Sequence, residues 1–217
     1  MELYKVGSRG EMVRQIQKAL AGAGLAVAQD GIFGSITYEA VMAFQKSKGL
    51  APDGIVGPAT LALLIPARLK KSKRTIKEII IHCTATPEGQ DVTVEQIRRD
   101  HIKNHHWSDI GYHYVIYRNG HVEKGRDVDI AGAHCEGHNT YSIGVAYVGG
   151  LERDPRKTYN QLEAKDTRTL SQKAALLSLL VDLRKLYPNA KIISHRDLDK
   201  HGKQCPSFDA TREYRNI

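Results

Sequence analysis

Apolar positions in the first 65 residues recur at intervals of three or four, in short stretches separated by glycine-containing turns. This spacing puts the apolar side chains on one face of a helix, so it predicts amphipathic helices. The three stretches are Val13-Ile16-Gln17-Leu20, Ala40-Val41-Phe44-Gln45 and Leu61-Leu63-Leu64. Because such short helices cannot each bury an apolar face alone, we expect them to pack together in a small three-helix all-α domain over residues 1–65.

An eight-residue pattern occurs twice next to these predicted helices. Residues 30–37 read DGIFGSIT, and residues 53–60 read DGIVGPAT. Asp-Gly pairs favour tight turns with positive φ, and Pro58 suits the first turn of a helix, where a missing N–H costs little. The repeat therefore predicts two equivalent turn-and-helix units.

The hydrophobic pattern changes beyond residue 75. Runs rich in β-branched or aromatic residues predict buried strands at 78–81, 112–117, 142–148 and 192–194. Asn119-Gly120 predicts a hairpin turn, and amphipathic stretches at 93–104 and 166–187 predict helices. Strands interleaved with helices indicate an α/β domain over residues 76–217, with a mixed central sheet flanked by helices.

Charge is concentrated between the two predicted domains. The chain carries a formal net charge of +8 over 217 residues, and residues 66–75 alone hold five basic and no acidic side chains. Residues 1–65 hold 6 basic and 5 acidic side chains, and residues 76–217 hold 21 and 19. We therefore interpret 66–75 as a basic linker and expect no nucleic-acid-binding surface, since no nucleic-acid motif accompanies the charge. No apolar run approaches the ~20 residues that span a membrane.

Histidine and cysteine supply the candidate chemistry. All ten histidines lie between residues 82 and 201, and the three cysteines cannot form a closed set of disulfides. His82 ends a predicted strand, His195 follows another, and Cys205 comes after a polar loop. Imidazole and thiolate suit zinc, and a catalytic zinc needs three protein ligands and one open position. The spacing of His195 and Cys205 is by itself not a metal motif, so zinc is here a hypothesis.

Four longer motifs occur together in the second domain: IIIHCTAT, WSDIGYHY, GAHCEGHNTYSIGV and SHRD followed by KQCPSFD. In this order they make residues 76–209 resemble zinc-dependent N-acetylmuramoyl-L-alanine amidases of the second type, close to phage endolysins. The resemblance implies one Zn²⁺ per chain, held by His82, His195 and Cys205. It also implies Tyr112 and Lys203 as catalytic residues. Residues 4–65 resemble the helical peptidoglycan-binding domain of wall hydrolases.

The resemblance implies a peptidoglycan hydrolase that cleaves the amide bond between the lactyl group of N-acetylmuramic acid and L-alanine. The alternative is a peptidoglycan recognition protein of the same fold, which binds without cutting. Retention of Cys205 favours the enzyme, because the binding-only branch lacks that ligand. We expect a monomer whose partner is peptidoglycan. Charge and glycine interrupt the first residues, so we expect no signal peptide, synthesis in the host cytoplasm and holin-dependent release to the wall.

Other polar residues are open to two interpretations. His134 either lines the substrate groove or has no contact with substrate, and Asn139 either bonds the stem peptide or shapes a turn. His113 follows Tyr112 and is expected to be a core histidine. The histidines at 101, 105 and 106 are expected on a solvated surface in or just after a helix.

Overall fold

The computed structural model describes residues 3–65, 69–200 and 202–217. The first region, residues 3–65, contains helices α1 (Glu11–Gly22), α2 (Ser35–Ser47) and α3 (Pro58–Leu64). These helices confirm the predicted small helical domain. Val13, Ile16 and Leu20 of α1 and Val41 of α2 are fully buried in the core between these helices. The three-to-four-residue spacing of apolar positions thus selects the face of each helix that packs inward.

The first repeat turn is built around the buried side-chain amide of Gln17. Its Nε2 lies 2.8 Å from Asp30 Oδ1, 3.0 Å from the Ile32 carbonyl oxygen and 3.1 Å from Thr37 Oγ1. Its Oε1 accepts a 2.8 Å hydrogen bond from the Gly31 N–H. One glutamine on α1 therefore joins the Asp-Gly turn to the first turn of α2.

The second repeat turn has the same network around Gln45 of α2. Its Nε2 lies 2.8 Å from Asp53 Oδ1 and 3.0 Å from both the Ile55 carbonyl oxygen and Thr60 Oγ1. Its Oε1 accepts a 2.9 Å hydrogen bond from the Gly54 N–H. The repeat in the sequence is therefore a repeat of buried hydrogen bonds, each centred on the glutamine of the preceding helix.

The second region, made of the described residues from 69 onward, is organised around a five-stranded mixed sheet. Its strands are β1 (Glu78–Cys83), β3 (Tyr114–Ile116), β4 (Val122–Lys124), β5 (Ser142–Tyr147) and β7 (Lys191–Ser194). They lie in the order β4-β3-β5-β1-β7, and all neighbours run parallel except the β3–β4 hairpin. Two short strands, β2 (Thr86–Pro87) and β6 (Gly150–Leu151), pair with each other outside this sheet. The predicted mixed sheet is therefore confirmed.

Helices cover the sheet on both faces, as predicted. They are α4 (Val94–His105), α5 (Leu170–Leu186) and the short α6 (Ala210–Glu213). Thr93 and Thr169 cap α4 and α5 in capping boxes, so α5 begins later than the predicted 166. Leu176 and Leu180 of α5 pack on one face of the sheet, whereas Ile97 of α4 packs on the other. In the described parts of the chain, no helix is long and apolar enough to cross a membrane.

Residues 69–75 of the predicted linker lie against the sheet domain. The backbone N–H of Ser72 donates to Tyr187 Oη at 2.6 Å, and its hydroxyl donates to the Val128 carbonyl oxygen. The Arg74 guanidinium donates to the carbonyl oxygens of Val128, Asn139, Thr140 and Ser142. A guanidinium carries five N–H donors, so several carbonyl oxygens together can satisfy it away from water. The number of basic residues in this segment did not predict that Arg74 packs against the sheet domain. Residues 66–68 lie outside the described residues, and the domain boundaries stay a prediction.

Replacing Gln45 by alanine would leave the Gly54 N–H and the Ile55 carbonyl without their shared partner. Each buried polar group left unpaired costs about 1–3 kcal/mol. We expect Gln45→Ala to lower the local unfolding free energy of the second turn by about 2–4 kcal/mol, measured as faster amide hydrogen exchange at Gly54 in the full chain. Lys46→Ala, at the exposed neighbouring position, serves as the control. Unchanged exchange at Gly54 in Gln45→Ala would contradict the role given to this network.

Candidate metal centre and active site

Two histidines and one cysteine meet at the carboxyl end of β1, which lies between β5 and β7. His82 is the penultimate residue of β1, and His195 directly follows β7, which is the parallel neighbour of β1. Parallel strands bring their carboxyl ends to the same edge of a sheet, which is why residues so far apart in sequence meet here. The ligand atoms of His82, His195 and Cys205 all lie within 4.8 Å of one another.

The spacing and burial of these atoms suit a tetrahedral zinc ion. Cys205 Sγ lies 3.8 Å from His82 Nδ1, and the ring centroids of His82 and His195 are 4.4 Å apart. Zinc bonds of about 2.3 Å to sulfur and about 2.0–2.1 Å to nitrogen put such ligand atoms about 3.5 Å apart. His82 is 1% exposed and His195 8% exposed. The donor set therefore fits zinc, with a fourth position for water or substrate.

The electrostatics keep both imidazoles in the form that binds a metal. Burial lowers the pKa of His82 far below its usual value, and neighbouring His134 and His195 lower it further. Burial also lowers the pKa of His195, with a further contribution from the charge of Lys203. A neutral imidazole has a free lone pair, whereas a protonated one does not, so at neutral pH the two histidines are ready to bind a cation.

The third candidate ligand, Cys205, lies on a loop that hydrogen bonds close at both ends. Ser194 Oγ accepts a 2.9 Å hydrogen bond from the Ala210 N–H, which ties the end of β7 to the start of α6. Within the loop, the Arg196 N–H donates to the Cys205 carbonyl oxygen at 2.7 Å. The backbone N–H of Cys83 donates to Cys205 Sγ at 3.3 Å, a contact that stabilises negative charge on sulfur. These bonds return Cys205 to the end of β1.

Tyr112 borders the metal centre. Its ring centroid lies 5.3 Å from that of His82. Burial is the main cause that raises the pKa of Tyr112 well above its usual range, so its phenol stays protonated and can donate a hydrogen bond. A groove of about 320 Å³ opens beside it. Residues lining this groove include Thr84, Thr86, Asp100, His101, Tyr112 and Tyr159.

Lys203 forms an ion pair with the buried carboxylate of Asp199. Its backbone N–H donates to Asp199 Oδ2 at 3.0 Å, and its Nζ lies 3.7 Å from Asp199 Oδ1. The Asp199 side chain is 6% exposed, whereas that of Lys203 is 60% exposed. The Lys203 charge contributes to the lowered pKa values of His82 and His195, which puts the ammonium within electrostatic reach of the metal centre. Asp199 therefore restrains the lysine that the sequence singles out, and nothing in the motifs identified this aspartate.

His134 and Asn139 lie together behind the metal centre. His134 Nδ1 is 3.1 Å from His82 Nε2, and its ring is 8% exposed. Asn139 Oδ1 accepts hydrogen bonds from the backbone N–H groups of His134 and Cys135, at 2.8 and 3.0 Å. Asn139 therefore shapes the turn that carries His134. Substrate binding by either side chain stays a prediction.

His101 departs from its expected surface position. It is 8% exposed, and its Nδ1 accepts a 3.0 Å hydrogen bond from the Gly111 N–H. Burial lowers the pKa of His101 to about 4, so the ring is neutral. The signal was in the sequence, because Val94, Ile97 and His101 are three and four residues apart and share the inward face of α4. His105 and His106 are exposed, as expected.

Comparison with known proteins identifies both regions. Residues 9–64 match the peptidoglycan-binding domain family, and residues 72–208 match the N-acetylmuramoyl-L-alanine amidase family. The chain is 41% identical over 147 residues to the endolysin of Klebsiella phage KP32, which covers 67% of this chain and 91% of that protein. It is 27% identical over 163 residues to a peptidoglycan-recognition protein of Drosophila melanogaster, covering 73% of this chain and 78% of that protein.

A solved structure shares the fold of the second region. It is the Ph2119 endolysin from the Thermus scotoductus MAT2119 bacteriophage Ph2119, with a TM-score of 0.50 and 30% identity. The similarity covers 65% of this chain and 83% of the endolysin. Fold and site together define an amidase domain with a candidate metal centre, preceded by a helical wall-binding domain. The chain belongs to the N-acetylmuramoyl-L-alanine amidase family, which confirms the class of enzyme predicted from the sequence.

The buried imidazole of His113 makes the stability of the fold depend on pH. Its Nδ1 accepts a 2.9 Å hydrogen bond from the Gly144 N–H, and its Nε2 lies 3.1 Å from the Ile130 carbonyl oxygen. Burial lowers the pKa of His113 from 6.5 to about 4. Between these values the unfolded chain binds a proton that the folded chain does not. The stability present above pH 6.5 is therefore lost as pH falls towards 4, by at most about 3 kcal/mol.

We expect His113→Asn, which keeps an acceptor for the Gly144 N–H, to show a smaller loss of unfolding free energy between pH 7 and pH 4.5 than the unmodified chain. Denaturant unfolding of the metal-free protein, followed by the fluorescence of Trp107, measures this difference. Trp107 is the sole tryptophan. His121→Asn, at an exposed histidine, should reproduce the unmodified pH dependence. Identical slopes for His113→Asn and the unmodified chain would rule out His113 as a cause.

Proposed function

We propose that this chain is an endolysin-like peptidoglycan hydrolase that cleaves the bond between the lactyl group of N-acetylmuramic acid and L-alanine. One Zn²⁺ held by His82, His195 and Cys205 would serve the reaction. The observation that carries the proposal is the convergence of these three ligand atoms within 4.8 Å, with the Tyr112 ring centroid 5.3 Å from that of His82. Membership of the amidase family and the phage endolysin relatives support it.

The chemistry divides between the ion and the side chains around it. When bound, zinc supplies a Lewis acid and lowers the pKa of a water molecule to about 7. The protonated phenol of Tyr112 donates a hydrogen bond to the reacting oxygen atoms. The ammonium of Lys203 faces the carbonyl oxygen, where negative charge develops as the amide carbon becomes tetrahedral, and a preorganised donor there lowers the barrier. Asp199 keeps that ammonium near the site.

The N-terminal helical domain holds the enzyme on its polymeric substrate. The match of residues 9–64 to the peptidoglycan-binding family supports this role. Tethering the catalytic domain to the wall raises the local concentration of scissile bonds without any new contact at the active site. We further propose that the protein acts as a monomer and reaches the wall after release from the host cytoplasm, as its resemblance to phage endolysins implies.

The alternative function is recognition of peptidoglycan without cleavage. The similarity of this chain to relatives named as peptidoglycan-recognition proteins supports this alternative. The presence of Cys205 within reach of His82 favours hydrolysis, because the metal site then has its full set of three protein ligands.

Digestion of purified sacculi tests the reaction. Mass spectrometry should find peptides with new L-alanine amino termini and no new reducing sugar ends. Lys203→Ala should lower kcat by about 10²–10³, whereas Lys191→Ala, at an exposed lysine on β7, should not. Wall binding without any product would favour the recognition alternative, and new reducing ends would indicate a glycosidase.

Metal analysis tests the proposed cofactor. The purified protein should contain one zinc per chain, and removal by a chelator should abolish hydrolysis until zinc is restored. Cys205→Ser should weaken zinc binding, because a hydroxyl is a much poorer ligand than a thiolate. Cys135→Ser makes the same change at a thiol outside the ligand set and should leave the metal content at one. Full activity of the metal-free protein would refute the zinc mechanism.

A further inference from the structure

The imidazole of His134 lies directly behind a proposed metal ligand. Its Nδ1 is 3.1 Å from His82 Nε2, and its Nε2 is 3.3 Å from Ser142 Oγ. The ring centroids of His82 and His134 are 5.0 Å apart with an interplanar angle of 76°, so the two rings meet edge to face. Both ring nitrogens of His134 therefore have a partner inside the protein.

These contacts determine where the protons lie. Cys205 Sγ approaches His82 at Nδ1, so Nδ1 is the ligand atom. A neutral imidazole that binds a cation through Nδ1 carries its hydrogen on Nε2. His82 Nε2–H then donates to His134 Nδ1, and His134 carries its own hydrogen on Nε2, facing Ser142 Oγ. With a cation on His82 Nδ1, each hydrogen in this chain has one acceptor: His82 donates to His134, and His134 donates to Ser142.

The His134 ring occupies a slot made by two glycines. A Cβ placed on Gly132 would lie 2.3 Å from His134 Cδ2, and one placed on Gly144 would lie 2.5 Å from the same atom. Neither distance is compatible with a side chain, so the ring fits because both positions are glycine. The backbone of His134 is held by Asn139, whose Oδ1 accepts its N–H at 2.8 Å. Ring and backbone are therefore both restrained.

We propose that His134 is a positioning residue that fixes the tautomer and ring orientation of His82 and thereby strengthens metal binding. This proposal rests on the zinc site proposed above. A histidine ligand whose second nitrogen has a fixed acceptor loses less freedom when the metal binds, and loss of such a partner typically weakens affinity by about 10–100-fold. His134 acts through His82 rather than on the substrate.

The test compares zinc affinity in three full-length variants, measured by competition between the metal-free protein and a chromophoric chelator. His134→Ala should weaken zinc binding by about 10–100-fold. His134→Asn puts an amide oxygen near the position of Nδ1 and should recover most of this loss. His138→Ala removes a histidine from the same loop, where it bonds Glu78 rather than a ligand, and should keep the original affinity.

Cobalt substitution and steady-state kinetics give independent measurements. With Co²⁺ bound, the thiolate absorption band should persist in His134→Ala while the ligand-field bands shift, because Cys205 still binds but His82 is reoriented. At saturating zinc, kcat should fall more than KM rises. Unchanged zinc affinity in His134→Ala with a raised KM would overturn the proposal and identify His134 as a substrate contact. Failure of the unmodified chain to bind zinc would instead refute the proposed metal site itself.

Discussion

Parallel pairing of β1 with both of its neighbours is the constraint on which the site depends. Ile79, Ile80 and Ile81 of β1 are fully buried, and β1 pairs in register with β5 on one side and β7 on the other. The register aligns Ile81 with Ser194, and each of these residues is followed by a histidine, His82 and His195. A shift by one residue would turn these histidines to opposite faces. The apolar packing of the strands therefore sets the position of two proposed metal ligands.

Behind the ligands, the protein keeps a layer of buried imidazoles whose hydrogen bonds are all used. His82, His134 and His113 are each less than a tenth exposed, and among the described residues no buried side-chain nitrogen or oxygen lacks a hydrogen-bond partner. Burying polar rings is unfavourable unless they are paired. Once paired, they cannot reorient without breaking several bonds at once. The layer thus combines neutral imidazoles with fixed orientation, which a metal centre requires.

The two regions use buried polar groups for different purposes. In the helical domain, Gln17 and Gln45 tie a turn to the following helix and thereby complete a small core. In the sheet domain, Arg74 brings the incoming chain to the turn that carries His134 through the carbonyl oxygens of Asn139 and Thr140. The segment just before β1 thus supports the candidate metal centre and also connects the two regions.

The sequence by itself determined the elements and the candidate metal ligands. Local periodicity reports which face of a helix is apolar and which runs are apolar throughout, so it identified the three helices, the alternation of strands and helices, and β1 as a buried strand. The motif order identified His82, His195 and Cys205, which the fold then brought together. Only the tertiary structure decided the pairing of Asp199 with Lys203 and the contact of His134 with His82. His134 and His82 are 52 residues apart in the chain, and no local pattern encodes which ring a side chain will meet after folding.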